Sequence, residues 1–390
     1  MDRYRIALLT SSRADYGIYR PLLEKLKADS WFSTKIIAFG THLSSKYGNT
    51  LNEILQDGFV VDYTVENQLL GDSPEAISST IGLTTLKFSS IWQNLKNDID
   101  LIICLGDRYE MFAAVQASLP FQIPVAHIHG GETTLGAIDN IFRHSLTLMA
   151  KYHFVSSQQH QQKVKQLIGT ENDIDNIYNV GALGLDNLEK IQLFTLSEFW
   201  DKYQINIEKP TILLTFHPET VSFEENITFA TIICEVLEEI ITNEKGHFID
   251  YQIIITMPNA DTMGNSIRKI FTDFGERKEK KNKIFLIENF GTKGYFSCMK
   301  YCSFLLGNTS SGIIEAASFK KYVINLGDRQ KGRLAGENVL NIEIDKEKIL
   351  KSIKKIQEMP VLDGYNIYGN GSASNKIIDV LKSLKSTIKM

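Results

Sequence analysis

The chain has 390 residues, 43% of them hydrophobic and 23% charged, which is the balance of a globular protein with length enough for two ordinary domains. Its formal net charge of −4 argues against a general nucleic-acid binder. No stretch approaches the ~20 apolar residues of a membrane span; the start, MDRYRIALLT, lacks a small-residue cleavage site, and the expected location is the cytoplasm.

Tyr4–Thr10 reads as a buried strand, followed by SSRADYG and an amphipathic helix from about Ile18 to Ala28. Lys35–Phe39 is the next strand and Ser44–Gln56 the next helix. A polar stretch, Glu66–Ser79, leads into a long helix over roughly Pro74–Asn94. Strands near 100–105, 123–128 and 152–156 continue the alternation, and VGALG at 180–184 ends the first half. From Asp186 to Lys209 the chain is polar and helical, and then the alternation restarts. Strands are expected at 211–216, 251–256, 283–287, 302–306 and 322–326, with helices near 222–243, 261–272 and 310–319. Strands alternating with helices predict parallel sheets. The fold class is therefore α/β, with two Rossmann-like doubly wound domains facing across a cleft. The first is expected to cover 1–185 and the second 186–374. The last segment, 375–390, is a lysine-rich amphipathic helix that can pack back on the first domain.

Two apolar runs in the first half end in polar clusters. DLIICL breaks at Gly106 into Asp107, Arg108 and Glu110; the run ending at Ala126 gives way to His127, His129, Gly130, Gly131 and Glu132. A third cluster, Asp139 with Arg143 and His144, opens the helix after that. The carboxyl ends of strands face the ligand crevice in open α/β sheets, so Asp107, Glu132 and Asp139 are expected to converge as an acid/base constellation. His127 and His129 stand at i and i+2, which on a strand point to opposite faces. Cys104, Cys234, Cys298 and Cys302 contain only one close pair, with no second pair to complete a zinc site. No metal is expected, and the cysteines read as buried thiols.

In the second half, LLGNTSSGIIEAAS follows a strand and opens a helix. Gly307 permits a tight turn, and Asn308, Thr309, Ser310 and Ser311 offer hydroxyls and N–H groups at a helix start, which suits a phosphate. Four consecutive small polar residues exceed what an N-cap requires. Glu315, one turn in, can accept from ribose hydroxyls. No Gly-Lys-Ser/Thr follows, so this is not a P-loop, and SSRADYG lacks the dinucleotide fingerprint, so no NAD site is indicated. Arg13 at the first strand's end can pair with phosphate or form a surface salt bridge. His217 ends the strand TILLTF, Met257–Asp261 ends the next, and GDRQKGR adds Arg329, Lys331 and Arg333 beside the loop.

SSRADYG, GDRYE, HIHGGE with GAIDNIFRH, HPET, PNADTMG, GNTSSGIIEA and NLGDRQKGR with GENV follow one another in that order. Together, from about residue 4 to 340, they resemble the hydrolysing UDP-N-acetylglucosamine 2-epimerases of sialic-acid biosynthesis. The resemblance implies a GT-B fold and conversion of UDP-GlcNAc and water to N-acetylmannosamine and UDP, through elimination to a 2-acetamidoglucal and rehydration with inversion at C2. It implies no cofactor, a UDP-sugar as the ligand, and a homodimer or tetramer. Residue by residue, Asp107, Glu132 and Asp139 match the acidic positions, while Arg13, His217, Asn259, Thr309, Ser310 and Glu315 match nucleotide-contacting ones. Arg108, Ser311 and Arg329 join them as phosphate or sugar ligands, and His217 also stands as a catalytic candidate. Some members carry Glu where this chain has His129, so Glu132 is assigned that role first and His129 second. The same chemistry on a 2,4-diacetamido-2,4,6-trideoxy nucleotide sugar, and a non-hydrolysing UDP-GlcNAc 2-epimerase, are the alternatives. A glycosyltransferase would leave the three carboxylates without a task, and a nucleotide-sugar sensor would not need them.

Overall fold

The computed structural model describes residues 3–45, 48–69, 73–133, 135, 138–169, 174–219, 223–243, 246–258, 264–277, 282–288 and 290–388. In chain order the first elements are β1 (Tyr4–Thr10), α1 (Arg13–Ala28), β2 (Phe32–Phe39), α2 (Leu51–Gln56), β3 (Tyr63–Val65), α3 (Pro74–Leu95) and β4 (Leu101–Leu105). They are followed by α4 (Tyr109–Gln116), β5 (Val125–Ile128), α5 (Asp139–Met149), β6 (Tyr152–Val155), α6 (Gln158–Ile168), β7 (Ile177–Asn179) and α7 (Asp186–Lys190). Next come α8 (Leu196–Tyr203), β8 (Thr211–Thr215), α9 (Asn226–Thr242), β9 (Gln252–Thr256), α10 (Gly264–Gly275), β10 (Ile284–Ile287) and α11 (Gly291–Tyr301). The chain closes with β11 (Phe304–Gly307), α12 (Ser310–Ile314), β12 (Val323–Leu326), β13 (Val339–Ile342), α13 (Lys346–Glu358) and α14 (Ala373–Ile388).

These elements form two compact units. The first comprises residues 1–132, 138–190 and 368–390, the second 133–137 and 191–367. The sheet of the first unit has the order β3-β2-β1-β4-β5-β6-β7 and that of the second β10-β9-β8-β11-β12-β13, with every pair parallel. Both are doubly wound Rossmann-like sheets. Strand order reverses between β1 and β4 in one and between β8 and β11 in the other, so ligand crevices open beyond the ends of those strands.

Buried parallel strands explain the near-continuous apolar runs. Ile6 and Leu8 of β1, with Leu101, Ile103 and Leu105 of β4, enter one core of the first unit. Ala7, Leu9, Ile102 and Cys104 point the other way, into a second core with Phe88 and Trp92 of α3. In the second unit Ile212, Leu214 and Phe216 pack with Ile233, Leu237 and Ile240 of α9. The terminal helix α14 belongs to the first unit. Asp186 receives the backbone N–H groups of Ala373 (2.9 Å) and Ser374 (2.6 Å) at its start, and Lys382 pairs with Asp29 at 2.7 Å.

Several boundaries differ from the expected ones. Helix α1 begins at Arg13 rather than near Ile18, because Ser12 caps it by accepting from Asp15 N–H. Among the described residues of the segment 44–56 the α-helix is Leu51–Gln56, and the VGALG stretch follows β7 and runs into a 3-10 turn at Leu183–Leu185. Helix α12 spans five residues before a 3-10 turn at Ala316–Phe319. The first crossing between units falls after Lys190 rather than 185, and the return at Tyr368 rather than 375.

Candidate active site

Arginine 143 organises the tip of the first sheet. It is 2% exposed, one turn into α5 from Asp139. Its Nη2 bonds Asp107 Oδ2, its Nη1 donates to the His129 carbonyl at 2.9 Å, and the same Nη1 lies 3.6 Å from Glu132 Oε2. One buried guanidinium therefore joins the ends of β4 and β5 to the start of α5. A buried arginine of this kind is tolerated because its charge is paired and both Nη groups are engaged, although its Nε has no partner among the described residues.

The HIHGGE turn has a specific backbone. Strand β5 stops at Ile128, and His129 adopts φ 66°, the left-handed region that few non-glycine residues occupy. Gly131, at φ 78°, lies so close to α6 that a Cβ there would stand 2.6 Å from the His160 carbonyl oxygen. That turn swings the His129 ring back onto Glu132, with Nδ1 at 2.7 Å from Oε1. Leu183 N–H donates to His129 Nε2 at 3.4 Å, so Nε2 holds the lone pair and Nδ1 carries the proton. Both side chains are buried, His129 at 6% and Glu132 at 2% exposure. His127 is engaged at both ring nitrogens: Nε2 reaches the Gly106 carbonyl at 2.8 Å and Nδ1 the Thr147 hydroxyl at 3.2 Å. Burial drives its pKa down to about 3.

The carboxylates differ in environment. Asp107 is partly open, its side chain 23% exposed, and is ion-paired with Arg143. Asp139 is half-buried, and desolvation with the neighbouring charge of Asp107 pushes its pKa up to about 6, against the opposing pull of Arg108 and Arg143. Arg108 is turned inward onto the fully buried Glu110, at 2.7 Å and 3.2 Å. Arg13 sits at the surface, its Nε 3.7 Å from Glu53. Asp15, not singled out by the sequence reading, locks the turn after β1: it accepts from Ser11 N–H, Ser11 Oγ and Ser12 Oγ at 2.9, 2.6 and 2.9 Å.

In the second unit His217 and the Asn308–Ser311 loop follow β8 and β11, the two strands at the reversal point. Asn308 is fully buried and clips His217 by two bonds, accepting from its N–H at 2.7 Å and donating to its carbonyl at 2.8 Å. Its own carbonyl takes Arg329 Nη1 at 3.1 Å and Gln330 Nε2 at 2.8 Å. Gly307 is obligatory here: a Cβ would lie 1.9 Å from the Thr215 carbonyl oxygen. His217 is 9% exposed, its Nδ1 has no partner among the described residues, and burial followed by the Arg329 charge lowers its pKa to about 3. It is a neutral imidazole. Thr309 caps α12 by accepting from Ser311 N–H at 3.4 Å, while Ser310, Ser311 and Glu315 are half-buried beside it. Buried Glu219 holds the 327–329 turn through Asp328 N–H at 2.7 Å and Arg329 N–H at 3.3 Å. Asn259, and with it most of PNADTMG, lies outside the described residues.

Within the second unit Leu135 N–H bonds the Lys331 carbonyl at 2.9 Å. Among the described residues no helix is long and apolar enough to cross a membrane.

Two doubly wound sheets, with carboxylates at the strand tips of one and a small-polar turn at those of the other, define an α/β protein of Rossmann-like architecture. The family described as UDP-N-acetylglucosamine 2-epimerase matches residues 24–382, and the chain belongs to that family. It is 32% identical over 381 residues (97% of this chain, 96% of the relative) to a UDP-N,N'-diacetylbacillosamine 2-epimerase (hydrolyzing) of Legionella pneumophila. It is 31% identical over 386 residues (99% and 94%) to the polysialic acid biosynthesis protein P7 of Escherichia coli. The structure is similar to that of the Neisseria meningitidis UDP-GlcNAc 2-epimerase bound to UDP-GlcNAc, with a TM-score of 0.79 and 18% identity, covering 97% of this chain and 100% of that one. The fold is the GT-B-like fold of those enzymes.

Proposed function

We propose that the protein is a hydrolysing 2-epimerase that converts UDP-N-acetylglucosamine and water to N-acetylmannosamine and UDP, for sialic-acid biosynthesis. The observation that carries this reading is the Arg143 cluster, which brings Asp107 and Glu132 together one turn from Asp139, whose pKa is about 6. Epimerisation at C2 needs a proton removed on one face and returned on the other. Two carboxyl groups in different environments serve that purpose: Asp107 paired with a cation, Asp139 poised to exchange a proton near neutrality.

In the first half-reaction the C2–H bond breaks, its proton passes to a carboxylate, and the electron pair forms the C1–C2 double bond as UDP leaves with the C1–O pair. In the second, water adds its oxygen to C1, a proton reaches C2 from the opposite face, and the water's remaining proton returns to a carboxylate. No electrons are gained or lost, and no cofactor is required. Neutral His217, aligned by Asn308, offers an unprotonated ring nitrogen beside the nucleotide. Thr309, Ser310, Ser311 and Arg329 supply donors for the diphosphate, Glu315 accepts from the ribose, and Arg13, Arg108 and Asn259 complete the ligand set. Glu132 and His129 act together, the imidazole N–H donating to the carboxylate.

A second reading keeps the chemistry and changes the sugar to 2,4-diacetamido-2,4,6-trideoxyglucose on UDP. The 32% identity to a diacetylbacillosamine enzyme favours it. Incubation with each nucleotide sugar, followed by proton NMR, separates the two. Free UDP with N-acetylmannosamine is expected; release of only the diacetamido product would move the assignment, and an epimer still bound to nucleotide would remove hydrolysis. We further propose a homo-oligomer, in which the exposed stripe of Ile138, Ile141 and Leu148 (65%, 65% and 60%) along α5 is covered by a second copy. Light scattering that finds a monomer would contradict it. Four cysteines that form no disulfide with one another suit the reducing cytoplasm as its location.

A further inference from the structure

The buried network around Glu132 reaches beyond the residues assigned above. Glu132 Oε1 accepts from His129 Nδ1 at 2.7 Å and from Ser156 Oγ at 2.9 Å. Ser156 Oγ is in turn 2.9 Å from His160 Nδ1. Ser156 and His160 are 1% and 6% exposed, and neither belongs to a motif that marked the site in the sequence. A hydroxyl has one proton. With that proton directed at Glu132, Ser156 can only accept from His160, which makes His160 an Nδ1–H donor. Leu183 fixes the same tautomer on His129 from the other side. Two chains of donors, His160–Ser156 and Leu183–His129, thus converge on one carboxylate oxygen, while Oε2 faces Arg143 at 3.6 Å.

The local structure explains why these groups meet. Strand β6 ends at Val155, Ser157 caps α6 by accepting from His160 N–H at 3.2 Å, and the first turn aims the His160 ring back at Ser156. Gly131 allows the Glu132 turn to lie against the His160 carbonyl. The ring of Tyr368, where the chain returns to the first unit, stands 6.0 Å from the His160 ring at an interplanar angle of 37°.

We infer that Ser156 and His160 are positioning residues for the reaction: through their hydrogen-bond chain they hold Glu132 ionised and aimed beside Arg143 and Asp107. The inference rests on the epimerase reading for its catalytic purpose, though not for its geometry. Among the described residues, the ionisable groups that face Glu132 include His129 on its own turn, Arg143 from α5 and, through Ser156, His160 from α6. Removing one donor from an ionised carboxylate raises its pKa, and a carboxylate misplaced by about 1 Å can cost about 100-fold in rate.

The test compares Ser156→Ala, Ser156→Thr, His160→Leu and His160→Asn with the natural chain. Ser156→Ala and His160→Leu should lower kcat by about 10- to 100-fold, leave KM within about threefold, and move the acidic limb of the kcat/KM profile to higher pH. Ser156→Thr keeps the hydroxyl, and His160→Asn keeps a donor near Nδ1, so both should return most of the lost rate. An unchanged kcat and acidic limb in folded Ser156→Ala, or a threonine variant no better than the alanine one, would overturn the inference. Long-range proton–nitrogen NMR of the imidazoles tests the geometry without any substrate: His129 and His160 should both carry their proton on Nδ1. An Nε2–H His160 would reverse the chain and overturn the inference whatever the turnover. A natural chain with the expected tautomers but no turnover of any nucleotide sugar would instead overturn the epimerase reading, and the catalytic purpose of the chain with it.

Discussion

Replacing Asp139 by asparagine should stabilise the protein at alkaline pH while disabling it. The carboxyl is half-buried at the start of α5, and burial together with the charge of Asp107 moves its pKa from 3.8 to about 6. A group whose folded pKa is raised binds its proton more tightly in the native chain than in the unfolded one. Below about pH 4 both states are protonated and nothing is lost; as pH rises through about 6 the ionised form opposes folding. At full weight the displacement is worth about 3 kcal/mol. Partial contact with solvent and the charge shared with Asp107 bring the expected gain of Asp139→Asn to about 1–2 kcal/mol at pH 8. Urea unfolding followed by tryptophan fluorescence is a suitable assay, because Trp92 is fully buried in the first unit. The midpoint difference should be clear at pH 8 and gone at pH 4. Turnover should fall by about 100- to 10,000-fold, the range of general acid–base catalysis. A variant no more stable at pH 8, or equally more stable at pH 4, would refute the electrostatic account of Asp139.

Arg143→Leu removes the buried cation beside Glu132 and Asp107, and should cost about 3–5 kcal/mol, seen as a large drop in the same unfolding midpoint. Asn308→Ala leaves the N–H and carbonyl of His217 unpaired; a loss of about 2–4 kcal/mol is expected, with UDP affinity by calorimetry falling more than tenfold. His42, His127, His153 and His217 are buried neutral, with pKa values of about 4, 3, 4 and 3. Each is depressed from 6.5, so the stability they contribute is complete above about pH 6.5 and is lost progressively as pH falls toward 3–4. A thermal midpoint that stays flat from pH 6.5 to 4.5 would contradict this.

The placement of the candidate site's residues was legible where local pattern dictates structure. Apolar runs that stop at Gly106 and near His129 are strand ends, and parallel topology sends the residues after them to one edge of the sheet. Asp139 and Arg143, four apart, share a helix face, so their proximity is also local. What was not legible depends on distant register. The Asn308–His217 clip spans 91 positions and exists only because β8 pairs with β11. The Ser156–Glu132 bond needs His129 in a left-handed conformation and Gly131 pressed against α6, which no periodicity signals. Strand β3, three residues long, is too short to show an alternation, and α1 started early because the capping contact of Ser12 hid in what read as a loop.

The most direct test of the central claim is turnover of the nucleotide sugar in D2O, with the free sugar product analysed at C2 by proton NMR. Proton removal and return by the Asp107–Glu132–Asp139 cluster requires one solvent deuterium at C2 of the epimerised product. A product epimerised at C2 that keeps its original hydrogen would contradict the account.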